Sequence, residues 1–179
     1  MDREEQIDTF SRYYQVSRET IESLKYFESI VIKSNKTLNL IGKSTIDQFW
    51  HRHILDSYQV IDFIDKNDEN LIDLGSGAGF PGIIIAIAAK ERKIPIKICL
   101  VEKSKKKIKF LKESIKKLKL DVQIKCINIF EIDKKLNGGI FIARAFKPLP
   151  IILKLIHNNI LNYKKFFVFL GKTGSNELL

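Results

Sequence analysis

Residues 67–179 predict a doubly wound α/β core built on a mostly parallel sheet. Three observations carry that expectation. Short apolar runs alternate with segments of helical period from residue 70 onward. Glycines crowd at the end of the first run, where residues 73–82 read DLGSGAGFPG, and the second run ends in a carboxylate, Glu102. Strands alternating with helices pack as parallel sheets that bind ligands at the carboxyl ends of the strands. Residues 1–66 are expected to form a helical extension packed on that core.

The elements follow in order. In EEQIDTFSRYYQV, Ile7, Phe10 and Tyr14 recur at helical spacing; Ser17 suits the cap of a second helix carrying Ile21, Leu24 and Phe27 on one face. TIDQFWHRHILDSYQVIDFI predicts a third helical region ending near residue 64. NLIDLG is a buried-strand pattern, and PGIIIAIAAKER a helix with proline in its first turn, where the missing N–H leaves nothing unpaired. IKICLVE is the next strand. SKKKIKFLKESIKKLKL is an amphipathic helix with Ile108, Leu111, Ile115 and Leu118 on its apolar face. VQIKCINI, GIFIARAF and KFFVFLG are further strands, with the helix PLPIILKLIHNNIL between the last two.

The net charge is +10, and its distribution is uneven. Residues 90–125 hold 14 Lys/Arg against 4 Asp/Glu, whereas the rest of the chain holds 17 of each sign. A cationic stretch of that kind is either a solvated helix face or a footprint for nucleic-acid phosphates. The charged start MDREEQ predicts no secretory leader, and the apolar run GIIIAIAAK is far short of a membrane span. Cys99 and Cys126 lack CxxC spacing and fall inside strand patterns, so they are expected to be inert core thiols. A cytoplasmic monomer with no metal and no membrane partner is the expectation.

The glycines Gly77-Ala-Gly79-Phe-Pro-Gly82 fit a dinucleotide fingerprint, with Glu102 placed to hold ribose hydroxyls. A nicotinamide oxidoreductase is therefore one reading. Asp73, two residues before Gly75, argues for another: a carboxylate at the lip of the loop repels a pyrophosphate but holds an ammonium group. S-adenosylmethionine (SAM) has that character. The pattern Asp73-x-Gly75-x-Gly77-x-Gly79 resembles the first motif of class I SAM-dependent methyltransferases, which have a Rossmann-like sheet. The GKTG at 171–174 is not a phosphate-binding loop, because Phe166 stands where that motif needs glycine.

If the chemistry is methyl transfer, the acceptor is constrained. ARAFKPLP replaces the Asn-Pro-Pro-aromatic element of exocyclic-amine methyltransferases, and no cysteine stands at a strand end to attack pyrimidine C5. Guanine N7 fits: it bears no proton, so the site needs alignment and exclusion of water rather than a base. Arg144 at a strand end is a candidate catalytic residue that orients guanine or holds a flanking phosphate; a salt bridge within the fold is the structural alternative.

RHILDS (52–57), IDLGSGAGFPG (72–82), VEKSKKKIKFL (101–111) and ARAF (143–146), in this order and spacing, resemble the RsmG family, also called GidB. The resemblance implies a SAM-dependent enzyme that methylates guanine N7 in the 530 loop of 16S ribosomal RNA, acting on that RNA or on the small ribosomal subunit. It implies cofactor contacts from Asp73, Gly75, Gly77, Phe80, Glu102 and Arg144, with the adenine near Ile129 and Phe130. On the substrate side it implies Asn39, His53 with Asp56 on the floor of the cleft, and Lys172; the cationic stretch, with Lys105 and Lys106, is expected to meet the RNA phosphates. The chain departs from the family at Ile41, where a threonine is usual, and at Leu170-Gly171-Lys172, where Leu-Lys-Gly is usual. It also ends at Leu179, soon after the fifth core strand, so the core is expected to be shortened at its C-terminus. A non-catalytic RNA-binding relative is a further alternative.

Overall fold

The computed structural model describes residues 1–132 and 135–170. Five strands form one parallel sheet in the order β3-β2-β1-β5-β7. These are β1 (Asn70–Leu74), β2 (Lys97–Glu102), β3 (Val122–Cys126), β5 (Ile140–Arg144) and β7 (Lys165–Phe169). The outward order from β1 in both directions is the doubly wound pattern, and it puts the ends of β1, β2 and β5 side by side. Two-residue strands β4 (Leu136–Asn137) and β6 (Ile160–Leu161) pair separately, an addition that the sequence pattern does not reveal.

β1 is central, and Leu71–Leu74 are buried throughout, as expected for a strand covered on both faces. Alternate residues serve different cores. Leu71 joins a cluster with α2 (Arg18–Leu38), α4 (Gly82–Glu91) and α5 (Lys105–Leu118); Ile72 and Leu74 join a second cluster beneath α6 (Leu149–Asn159). α4 is apolar all round and buried from Gly82 to Ala89, hence its place between sheet and extension. Cys126 departs from expectation. β3 is an edge strand, and Cys126 is exposed while Cys99 is half-buried.

The N-terminal helices share the first of these cores. α1 (Arg3–Tyr14) is started by a capping box between Asp2 and Glu5 and buries Ile7 and Phe10. α2 buries Leu24, Phe27 and Val31 against the same cluster. Its first turn is held from the far side by the Glu91 carboxylate, which accepts from the Ser17 amide and hydroxyl and the Thr20 hydroxyl at 2.6–2.8 Å. The buried Glu28 is matched by Arg3 and by the Trp50 indole N–H at 2.9 Å.

The third helical region is not one helix. It breaks into a 3-10 turn (Lys43–Thr45), a π-helical stretch (Trp50–Leu55), a single α turn α3 (Asp56–Tyr58) and a 3-10 turn (Gln59–Phe63). Apolar spacing marks the buried face but does not tell three, four or five residues per hydrogen bond apart. π-turns tend to occur at functional sites.

Candidate functional site

The glycine loop follows β1. The amides of Gly75 and Ser76 both donate to the Val101 carbonyl at 2.9 and 3.1 Å, tying the loop to the end of β2. Glu102 completes the tie: its carboxylate accepts from Gly77 at 3.0 Å, Lys103 at 2.9 Å and Ser104 at 2.8 Å. Gly75, Gly77 and Gly79 all have positive φ, the region that disfavours side chains. Their surroundings differ. A Cβ on Gly77 would meet nothing nearer than the Gly75 carbonyl at 3.7 Å, so that face is open to a ligand. On Gly79 it would strike Ile83, and on Gly75 it would lie 2.2 Å from the Phe146 ring.

Two cavities open beside this loop. One of about 300 Å³ is lined by Gly75, Glu102, Asn128, Ile129, Phe130 and Phe146. The other, about 450 Å³, is lined by Leu40, Thr45, His53, Gly77, Phe80 and Arg144. Gly75, Lys107 and Ala145 line both. The smaller suits a nucleoside: beyond its three amide donors the Glu102 carboxylate keeps acceptor capacity on Oε2 for a ribose hydroxyl, and Ile129, Val101 and Ile127 offer an apolar wall for a base.

Asp73 does not stand at the lip of the loop. It is enclosed and lines neither cavity; its Oδ2 accepts from the Gly82 amide at 3.1 Å and its Oδ1 is unpartnered. Burial pushes its carboxyl up to about 7, opposed by the Gly82 hydrogen bond. Sequence position alone cannot show that the β1 pleat turns residue 73 toward α4. It therefore braces the loop from behind, outside the lining of both cavities.

Arg144, at the end of β5, has its guanidinium committed to the RHILDS segment. Nη1 donates to the Ser57 hydroxyl at 3.0 Å; Nη2 donates to the Arg52 carbonyl and pairs with Asp56 at 3.4 Å. The guanidinium carbon Cζ lies over the Phe169 ring, 5.4 Å from its centroid. Burial lowers its affinity for the proton, with Asp56 acting the other way. The structure thus displays the internal contact, with Arg144 positioning the segment that walls the larger cavity.

His53 is buried in that wall. Its Nε2 is 2.8 Å from the Thr45 hydroxyl, and its ring stacks on Phe80 at 4.9 Å. Burial first, then Arg144 and Arg52, push its pKa down to about 4. Phe80 reaches the cavity but packs mainly inward, against Phe27, Phe49 and His53.

Other sequence-based expectations shift by a residue or a turn. Asn39 is the exposed, left-handed cap of α2 and lines neither cavity. The residue that shapes this turn is Asn35, whose side chain accepts from the Leu40 and Ile41 amides at 2.6 and 2.9 Å and donates to the Ile41 carbonyl at 3.1 Å. Lys105 and Lys106 are exposed and line neither cavity, whereas Lys107, one residue on, lines both. Lys172 lies outside the described residues. Among the described residues, no group of three or more His, Cys, Asp or Glu is placed to hold a metal ion, and no helix is long and apolar enough to cross a membrane.

A parallel sheet in this order, a glycine loop stapled by the acid at the end of β2, and a nucleoside-sized cavity beside it define the class: a SAM-dependent methyltransferase of the class I fold. Solved methyltransferases share the fold. Coclaurine N-methyltransferase bound to N-methylheliamine and S-adenosylhomocysteine (SAH) has a TM-score of 0.52 at 13% identity, over 92% of this chain and 57% of that one. A putative protein-L-isoaspartate O-methyltransferase from Plasmodium falciparum, in complex with SAH, has a TM-score of 0.52 at 16% identity, over 87% and 79%. Within this class the chain belongs to the GidB family, described as rRNA small subunit methyltransferase G, whose family model matches residues 20–179. A relative of that name from Pelagibacter ubique is 44% identical over 165 residues, covering 91% of this chain and 77% of the relative. One from Rickettsia felis is 38% identical, covering 92% and 82%.

Proposed function

We propose that this chain transfers a methyl group from SAM to N7 of a guanine in the 530 loop of 16S ribosomal RNA. The observation that carries the reading is the pair of adjoining cavities at the ends of β1, β2 and β5, in a chain of the small-subunit rRNA methyltransferase G family. In this reading Glu102 holds the ribose and Ile129 and Phe130 flank the adenine. The loop face at Gly77 takes the bound molecule, and the larger cavity receives the base.

The cofactor supplies an electrophilic methyl group on a sulfonium. The protein supplies alignment and a water-poor surface. Asp73 and Glu102 fix the loop, and Arg144 fixes the RHILDS segment against it. His53, neutral at physiological pH, forms part of the wall with Phe80 and Thr45. No proton transfer is needed at N7, and no group with a pKa suited to a general base is required of the larger cavity. Lys107 at the junction and the exposed lysines of α5 lie where RNA phosphates would approach. The acceptor guanine is expected to be unstacked to reach the cavity.

The test uses small ribosomal subunits lacking the modification, labelled SAM and the purified protein, followed by borohydride reduction and aniline cleavage at N7-methylguanosine. A single cut in the 530 loop is expected. Label incorporated elsewhere overturns the position but keeps the transfer. RNA and SAH binding with no label leaves a non-catalytic RNA-binding relative.

A further inference from the structure

Phe146 is not among the residues assigned above to binding SAM or RNA, yet it occupies the place where the two cavities meet. Its ring fills the space left by the missing Gly75 side chain: a Cβ there would lie 2.2 Å from Cδ2 and 2.7 Å from Cε2. Gly75 lines both cavities, whereas Phe146 lines the smaller one only. The ring is held on its other side by a stack with Phe130, at 5.8 Å between centroids and 15° between planes. Phe130 is 43% exposed, with the Lys147 ammonium 5.9 Å from its ring. The stack is thus a surface one. The residue before Phe146, Ala145, has a φ of +47°, a left-handed conformation that non-glycine residues rarely adopt and that tends to occur at ligand clamps and switches.

We propose that Phe146 is the partition between the nucleoside cavity and the substrate cavity, and that its ring swings away from Gly75 to admit a ligand that spans both. This rests on the cofactor reading above. SAM and SAH join an adenosine to a methionyl arm through C5′ and sulfur. With the adenosine against Glu102 and Ile129, the arm must cross Gly75 to reach the larger cavity. In the present arrangement the Phe146 ring stands on that path. Adenosine alone fits the smaller cavity and leaves the ring where it is. Phe146 is thereby a positioning residue that sets the rate at which a full-length cofactor enters and leaves, and it closes the nucleoside cavity to water from the substrate side.

Surface plasmon resonance on the whole chain, with SAH and adenosine as separate ligands, tests this in the natural protein and in Phe146→Ala and Phe146→Trp, each checked for native circular dichroism. In the natural protein SAH should associate at least tenfold more slowly than adenosine. Phe146→Ala should raise both the association and dissociation rates of SAH about tenfold, while adenosine, which loses one wall of its cavity, should change in dissociation only; Phe146→Trp should slow the association of SAH more than that of adenosine. An unchanged SAH association rate in Phe146→Ala overturns the partition, as does a loss of affinity carried by dissociation alone, the mark of a merely structural contact. SAH binding without measurable adenosine binding overturns it too, since the nucleoside cavity would then not exist ahead of the arm. If the natural protein binds neither ligand, the cofactor reading itself fails.

Discussion

Asp73 and Gly82 face each other across the glycine loop. The Asp73 Oδ2 accepts the Gly82 amide at 3.1 Å, and a Cβ on Gly82 would lie 2.7 Å from that oxygen and 2.3 Å from Leu100. The last glycine of the motif is therefore a packing glycine that lets the start of α4 close on a buried carboxylate. Gly82→Ala should lose about 2 kcal/mol of stability, the usual scale of core overpacking, measured by denaturant unfolding. A loss below 0.5 kcal/mol would mean that the loop yields without strain.

Asp73 itself has a pH signature. Its pKa is raised from 3.8 to about 7 in the folded protein. Between those values the folded state holds a proton that the unfolded state has lost, so its contribution to stability falls as pH rises through that window. A shift of about three units corresponds to roughly 4 kcal/mol by pH 8. Asp73→Asn, which keeps an acceptor for Gly82, should gain stability relative to the natural protein between pH 4 and 8. A difference independent of pH would refute the assignment.

His53 acts in the opposite sense. Its pKa falls from 6.5 to about 4, so the stability it contributes is present above pH 6.5 and lost as pH drops toward 4, by about 3 kcal/mol. Over that range the slopes from Asp73 and His53 largely cancel. His53→Asn should unmask the Asp73 slope in thermal unfolding; since neither N7 nor His53 takes up a proton between pH 6.5 and 8, any step in single-turnover methyl transfer over that range should come from Asp73 and vanish in Asp73→Asn.

Arg144 is a test of positioning. Arg144→Lys retains the charge but cannot donate in a fork to Ser57, Asp56 and the Arg52 carbonyl at once. Methyl transfer should fall about 100-fold or more, while SAH affinity changes only a few-fold; small misplacements of a substrate-holding segment have effects of that size. Intact transfer in a folded variant would leave Arg144 a purely structural contact.

The lysines of α5 are separable by depth. Replacing the exposed Lys105, Lys106 and Lys109 together with Gln should reduce the salt slope of RNA affinity by about 2, near 0.7 per single-strand phosphate contact, with little effect on turnover at saturating RNA. Lys107→Gln, at the junction of both cavities, should also lower turnover. An unmoved slope in the triple variant would make this helix a solvated face.

Much of this molecule is legible in the chain because the relevant physics is local. The apolar runs at 70–74, 97–102 and 140–144 are β1, β2 and β5, since a strand covered on both faces must be apolar along its length. The glycines and Glu102 could be placed because positive φ and a strand-end carboxylate leave marks in a few adjacent residues. The apolar stripe of α5 is fixed by its period, and Ile108, Leu111 and Leu118 are buried. What the sequence left undecided depends on which way a side chain turns once distant segments meet. Asp73 faces α4 and lines neither cavity because of the β1 pleat. Arg144 finds partners some 87–92 residues away, in a π-helical stretch and the α turn that follows it, whose hydrogen-bond periods the apolar pattern cannot specify. Lys107 rather than Lys105 or Lys106 reaches the site because residues one or two apart on a helix point in different directions, and only the docking of α5 selects the one that faces the cavities. The choice of Phe146 as the wall at Gly75 is likewise made by two loops that meet only because β1 and β5 are neighbours in the sheet.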